Sequence, residues 1–261
     1  MQVVGYDSLD GGLYLAPSGG ATLGDGTPTD PTEVEYLPLD AGDELAYRLG
    51  GRHCAGTVAD EGHYACENDD APHCEYHRST WVCARCRGTC LKDEMDCFDD
   101  HAVYLAAFAP DVFKVGVTKE WRLDTRLREQ GADRAAHLRT VENGRIAREI
   151  ESELARELTD RVRVPTKRAG LHRRVDAEQW ESLLAEFDPL DSFAFDYGFS
   201  LDSRPMGETI AAGRVVGTKG RLLVLENAGT TYAVDMRDLV GYELREGESD
   251  RELQSSLGAF G

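Results

Sequence analysis

All seven cysteines of this chain lie between residues 54 and 97, and histidines stand among them at 53, 63, 73 and 77, with His101 just beyond. Cys83-x-x-Cys86 has the spacing at which two thiolates from one turn reach a single tetrahedral ion, and Cys74-x-x-His77 repeats it with a mixed pair. Cys54, Cys66, Cys90 and Cys97 complete a set that, with His77, is large enough to close one or two four-coordinate zinc sites. One pairing groups Cys54 and Cys66 with Cys83 and Cys86, and Cys74 and His77 with Cys90 and Cys97. His101 competes for the last place, because Cys97-x-x-x-His101 is also an acceptable spacing. A set this dense closes its sites without an open coordination position, so the expectation is structural zinc rather than catalytic zinc. Apolar residues are sparse in this stretch, and a metal is what would hold it together.

A second group of reactive types lies further on. Val103-Tyr104-Leu105-Ala106-Ala107-Phe108 and Phe113-Lys114-Val115-Gly116-Val117 read as two strands joined at the turn signal Pro110-Asp111. Helix character then runs from about Leu123 to Gln130, with Gly131 as the stop. Asn143 is a plausible N-cap for a helix whose stripe is Ile146, Ile150, Leu154 and Leu158, and Pro165 lies beyond its end. On that helix Ala147, Glu151 and Ala155 form one i, i+4 row, so the Glu151 carboxylate has room around it. Glu149, Glu153 and Glu157 form another row, a solvated face with Arg partners at 145, 148 and 156. Asp176 caps a further helix with Gln179 three residues on, and Trp180, Leu183, Leu184 and Phe187 form its buried face.

Val103-Tyr104-Leu105 and Val115-Gly116-Val117, followed by Arg126 on one helix and Glu151 on a later one, resemble the core of the GIY-YIG nucleases in diverged form. The wider string, with Gln130-Gly131-Ala132, is similar to an uncharacterised family that couples such a core to a cysteine-rich N-terminal module, over roughly residues 50 to 170. The resemblance implies a phosphodiesterase (endonuclease) chemistry. A tyrosine hydroxyl, here Tyr104, positions water. An arginine, here Arg126, stabilises phosphate charge. A glutamate, here Glu151, holds a Mg²⁺ or Mn²⁺ ion. Two departures from the pattern stand in the sequence. Lys114 occupies the place of the second signature's tyrosine, and Arg126 falls late enough that Arg122 competes for its role. A non-catalytic RNA- or protein-binding adaptor with a degenerate core is the alternative.

Charge supports an anionic partner, though only locally. The chain carries 29 basic against 48 acidic residues, a net charge of −19 that argues against a uniformly basic nucleic-acid binder. Lys occurs only at 92, 114, 119, 167 and 219, and acid excess with scarce Lys resembles proteins of molar intracellular salt (a halophilic sequence). Yet from Asp111 to Arg174 sixteen basic residues face eleven acidic ones. Arg161, Arg163, Lys167, Arg168, Arg173 and Arg174 follow one another with no acid between. That run is the expected contact with RNA or DNA phosphates.

These residues must be positioned by an α+β scaffold. The composition shifts divide it into a β-rich N-terminal region (1–50), a Cys/His zinc-ribbon-like module (51–100), a GIY-YIG-like α/β core (101–188) and a small C-terminal β unit (189–261). The flanking β runs are Val3 to Tyr6, Leu13 to Leu15, Arg214 to Val216, Leu222 to Leu225 and Thr231 to Val234. Residues 17–33 read as a loop, and Asp43 to Leu49 as a short helix-compatible run. The longest apolar run, Ala102 to Ala109, is far below the ~20 residues of a spanning helix. The first basic residue is Arg48, unlike a secretory leader. The expectation is a cytoplasmic protein with no membrane partner.

Overall fold

The structure is a computed structural model that describes residues 1–19, 30–78 and 97–247. The chain runs β1 (Gln2–Asp7), β2 (Gly12–Ala16), β3 (Glu35–Pro38), β4 (Glu44–Arg52), β5 (Thr57–Ala59), β6 (Gly62–Tyr64), β7 (His101–Phe108), β8 (Val112–Lys119) and α1 (Leu123–Glu129). It continues through β9 (Arg134–Val141), α2 (Gly144–Leu154), α3 (Val164–Gly170), α4 (Ala177–Leu184), β10 (Asp191–Ala194) and β11 (Met206–Gly207). The last elements are β12 (Ala211–Lys219), β13 (Leu222–Asn227), β14 (Thr230–Asp235), α5 (Met236–Leu239) and β15 (Tyr242–Glu246). The molecule is therefore mixed α and β, with more sheet than helix. It divides into two units. Unit 1 is Met1–Ser79 with Pro205–Gly261, and unit 2, Thr80–Arg204, is inserted between them in sequence.

Unit 1 is built on one sheet in the order β11-β14-β13-β12-β4-β15-β1-β2-β3. The N-terminal and C-terminal β regions, distant in sequence, share this sheet: β15 lies between β1 and β4, with Gln2 opposite Glu243 and Leu244 opposite Leu49. Leu13 and Leu15 of β2 pack in the same cluster as Leu223, Leu225 and Val234 of β13 and β14, so the sheet curls around a single core. The β1–β2 turn meets β12 closely: a Cβ on Gly11, at φ +78°, would stand 2.4 Å from the Thr218 hydroxyl oxygen. The Asp43–Leu49 run is strand rather than helix. β4 pairs with β12 on one side and β15 on the other, and those two ladders override a weak local preference.

Unit 2 carries a four-stranded antiparallel sheet ordered β10-β9-β7-β8. The expected hairpin is β7–β8, with Tyr104 opposite Gly116 and Ala106 opposite Lys114. β7 is buried on both faces. Its even-numbered residues Ala102, Tyr104, Ala106 and Phe108 pack with Leu123 and Leu127 of α1, and its odd-numbered ones pack with Ala147 and Trp180 of α2 and α4. The caps fall where the sequence places them: the Asn143 side chain accepts from the Ile146 amide, and Asp176 from the Gln179 amide. Gly131, at φ +67°, turns the chain after α1. Pro165 lies beyond the end of α2, as the sequence places it, and sits in the first turn of α3, where a missing N–H costs nothing. Among the described residues no helix is long and apolar enough to cross a membrane.

Candidate functional site

In unit 1, β4 delivers Cys54 just past its end, the β5–β6 hairpin returns the chain to Cys66, and the following loop brings Cys74 and His77. The ligand atoms of these four residues all lie within 4.8 Å of one another. Nδ1 of His77 is 3.4 Å from the Cys54 sulfur and 3.3 Å from the Cys74 sulfur. A tetrahedral zinc with Zn–S of about 2.3 Å and Zn–N of about 2.0 Å sets its sulfur and nitrogen ligands roughly 3.5 Å apart. Three thiolates and an imidazole at these separations can hold a structural zinc.

Backbone amides favour the thiolate form at this site, and burial opposes it. The Cys54 sulfur accepts from the amides of Gly56, at 3.4 Å, and Cys74, at 3.3 Å. Burial nevertheless pushes the Cys54 thiol up to about 11. For Cys74 burial also raises the pKa, but the amides of His77 and Tyr76 and the thiols of Cys54 and Cys66 outweigh it, leaving it below the usual range. Bringing cysteines this close with no counter-charge is unfavourable, and a divalent cation removes the conflict. Gly56, at φ +65°, is required by the fold-back, since a Cβ there would lie 2.0 Å from the Tyr64 carbonyl oxygen. Around the ligands, His53 Nδ1 is 2.9 Å from the Cys66 carbonyl oxygen and Nε2 of buried His63 is 2.8 Å from that of Ala55.

Spacing left the connectivity open, and this grouping differs from the one pairing written out above, in which Cys54 and Cys66 stand with Cys83 and Cys86. The loop between Cys66 and Cys74 folds back on the chain after β4, where the Asn68 carbonyl accepts from the Cys54 amide at 2.8 Å and the Pro72 carbonyl from the Ala55 amide at 2.9 Å, a closure that ligand spacing does not encode. Cys83, Cys86 and Cys90 lie outside the described residues. Cys97 and His101 are not members of the four. They line the start of α2, where a Cβ on Gly144 would stand 2.9 Å from His101 Nε2 and 3.1 Å from Cys97 Cβ.

Unit 2 assembles the second set. Tyr104 and Lys114 project from neighbouring strands on the face that α1 covers. Gln130, at the end of α1, ties them together: its Nε2 donates to the Tyr104 hydroxyl at 2.7 Å, and its Oε1 accepts from Lys114 Nζ at 2.9 Å. Lys167 of α3 donates to the Gln130 carbonyl at 2.6 Å. Arg126 and Glu151 act on both Tyr104 and Lys114: Arg126 favours the tyrosinate and opposes the ammonium, and Glu151 does the reverse. The Glu151 carboxylate accepts from Arg148 at 2.5 Å and is 13% exposed. Gly116 is needed beneath, because a Cβ would stand 2.5 Å from the Tyr104 ring and hydroxyl.

Burial sets the protonation of this cleft. Tyr104 is 1% exposed, and burial raises its phenol above the usual range despite Gln130 and Arg126. The phenol therefore stays protonated, and its oxygen accepts from Gln130. Burial, aided by Arg126, lowers Lys114 to about 8. Arg126 is 43% exposed and faces solvent, with its NH1 3.2 Å from one Glu129 oxygen while Arg122 holds the other at 2.9 Å. Arg126, not Arg122, is the one that acts on Tyr104 and Lys114.

Two members escaped the sequence reading. Gln130 carried no chemical signal beyond a polar side chain before a helix-stopping glycine. Arg148 was placed with the solvated row, although its i, i+3 spacing to Glu151 was legible. Of the basic run, Lys167 joins the cleft. Arg161, Arg163, Arg173 and Arg174 are exposed and Arg168 is half-buried, with Arg161 3.8 Å from Asp160.

Residues 42–195 match the family model DUF2797, described as a protein of unknown function, and the match spans both the Cys/His cluster and the Tyr104–Glu151 cleft. The chain belongs to the DUF2797 family. No curated protein matches the chain, and no solved structure does. The matched segment begins just before β4, ahead of the first thiolate, and ends just past β10, the edge strand of the unit 2 sheet.

Proposed function

We propose that this DUF2797 protein is a zinc-stapled nucleic-acid-binding protein whose unit 2 is a GIY-YIG-like core that takes a phosphodiester at the cleft of Lys114, Arg126, Arg148 and Lys167. One observation carries this: four cationic side chains from a strand and three helices gather around the Gln130–Tyr104 hydrogen bond. A phosphodiester placed here would meet several cations at once, each now held by a neutral or acidic neighbour (Gln130, Glu129 or Glu151), which is the chemistry of phosphate recognition. The order of hairpin, helix with Arg126 and later helix with Glu151 supports the GIY-YIG likeness. The exposed arginines at 161, 163, 173 and 174 extend the positive surface along a strand or duplex.

A second reading is phosphodiester cleavage, favoured by the mutual influence of Tyr104, Arg126 and Glu151. The residues present do not form a resident Mg²⁺ or Mn²⁺ site. Glu151 already accepts from Arg148, and no group of three or more metal-ligating side chains forms around it among the described residues. Binding without cleavage is therefore the primary reading.

The test is fluorescence anisotropy of the full zinc-loaded chain with labelled RNA and DNA, with and without Mg²⁺ or Mn²⁺. Arg126→Ala should weaken binding roughly 10- to 150-fold, the worth of one charge-assisted hydrogen bond. Glu151→Ala should retain binding. Strand scission by the wild type that Glu151→Ala abolishes would establish the second reading. Absence of binding to every nucleic acid would overturn both.

A further inference from the structure

Trp121 is 74% exposed, in a single 3-10 turn (Glu120–Arg122) that leads into α1. Its neighbours in sequence do different work: Leu123 and Leu127 enter the core under the sheet, so the turn is anchored while the indole is left outside. At that exposure the indole adds little to the core, and it leaves a large flat apolar face in water. The charge next to it is what gives it a partner. The Arg122 guanidinium lies 5.9 Å from the indole centroid and grips Glu129, which in turn holds Arg126 at the rim of the cleft. Indole, guanidinium, carboxylate and guanidinium thus form one relay from a stacking surface to an anion site, all carried by one turn and one helix.

We infer that Trp121 is a stacking platform for an unpaired nucleobase, so that the nucleic acid taken by the cleft is single-stranded at this point. This rests on the phosphate-binding reading of unit 2 and specifies its substrate class. A base within a duplex presents its edges, not its face, to a side chain, and a flat indole beside a phosphate clamp recognises only a base already out of the stack. Stacking tolerates any base, so the platform selects strandedness rather than sequence. It is also indifferent to salt, whereas the arginine contacts weaken as counterions compete. Arg122 has two parts in this: it borders the indole and, through Glu129, holds Arg126 in place.

The experiment compares the full zinc-loaded chain with its Trp121→Ala, Trp121→Phe and Arg126→Ala variants. The probes are a short fluorescein-labelled oligoadenylate in RNA and DNA form, and the matching duplexes, each titrated at several KCl concentrations. Wild type should prefer the single strands. Trp121→Ala should lose about 5- to 150-fold in single-strand affinity, the range found for removing one base–aromatic contact, with its salt slope unchanged and its duplex affinity unaltered. Trp121→Phe should recover most of the loss. Arg126→Ala should weaken both strand forms and flatten the salt slope. Because Trp121 is exposed, its variants should melt at the wild-type temperature. If Arg126→Ala weakens binding and Trp121→Ala does not, the platform is wrong and the phosphate cleft stands. If the wild type binds no probe, both fall.

Discussion

Removing zinc should unfold the Cys/His segment while leaving the unit 1 sheet in place. Between residues 53 and 78 the buried apolar side chains are Ala55 and Ala65 together with the ligands Cys54 and Cys74. Burying two methyl groups stabilises by only about 2 kcal/mol, at ~0.8 kcal/mol each. Fixing the backbone costs roughly 1–2 kcal/mol per residue, and hydrogen bonds recover only part of that. A closed thiolate–imidazole zinc site contributes about 10–16 kcal/mol, far more than the apolar contacts of this segment. Strands β12–β14, in contrast, bury Val215, Leu222, Leu223, Val224, Leu225, Tyr232 and Val234 and owe nothing to the metal. Elemental analysis should find at least one zinc per chain, and Cys74→Ser should lose it. Hydrogen exchange after chelation should show protection lost over 53–78 and retained in β12–β14. Protein purified without zinc, with the 53–78 amides equally protected before and after chelator, would refute this account.

Further outcomes follow from unit 2. Lys114 is lowered to about 8 by burial and Arg126, so the folded protein releases this proton before the unfolded chain does. The penalty for burying the ammonium is present below pH 8 and fades above it; stability should rise with pH from about 8 toward the usual lysine range. Anion binding has the opposite sign. It needs the ammonium, so affinity should fall about tenfold between pH 7 and 9, a slope that titrations of Lys114→Arg should lack. Gly116→Ala should lower stability by about 1–3 kcal/mol in thermal or urea melts, because its methyl would meet the Tyr104 ring, and Tyr104→Leu in the same chain should restore part of it. Gln130→Ala should weaken nucleic-acid binding without a comparable loss of stability, since it removes the group that positions Lys114 and Tyr104 rather than a core contact.

Much of this protein was legible in residue order. The β7–β8 hairpin, the caps at Asn143 and Asp176, the stop at Gly131 and the stripe of α2 all depend on interactions within a few residues, and side-chain periodicity reports those directly. The metal-ligand types were also legible, because no core could be made from the residues between 53 and 78. Other features were not. The sequence reading assigned no strand to residues 134–141, yet β9 lies between β7 and β10 because its partners are supplied from both sides. β4 became a strand for the same reason. Which four ligands meet, and that Gln130 joins Tyr104 to Lys114, depend on closures between segments distant in sequence. Spacing alone fixes which residues can reach a common point through one turn or one helix face. Only the packed sheet fixes which turns and faces come to the same point.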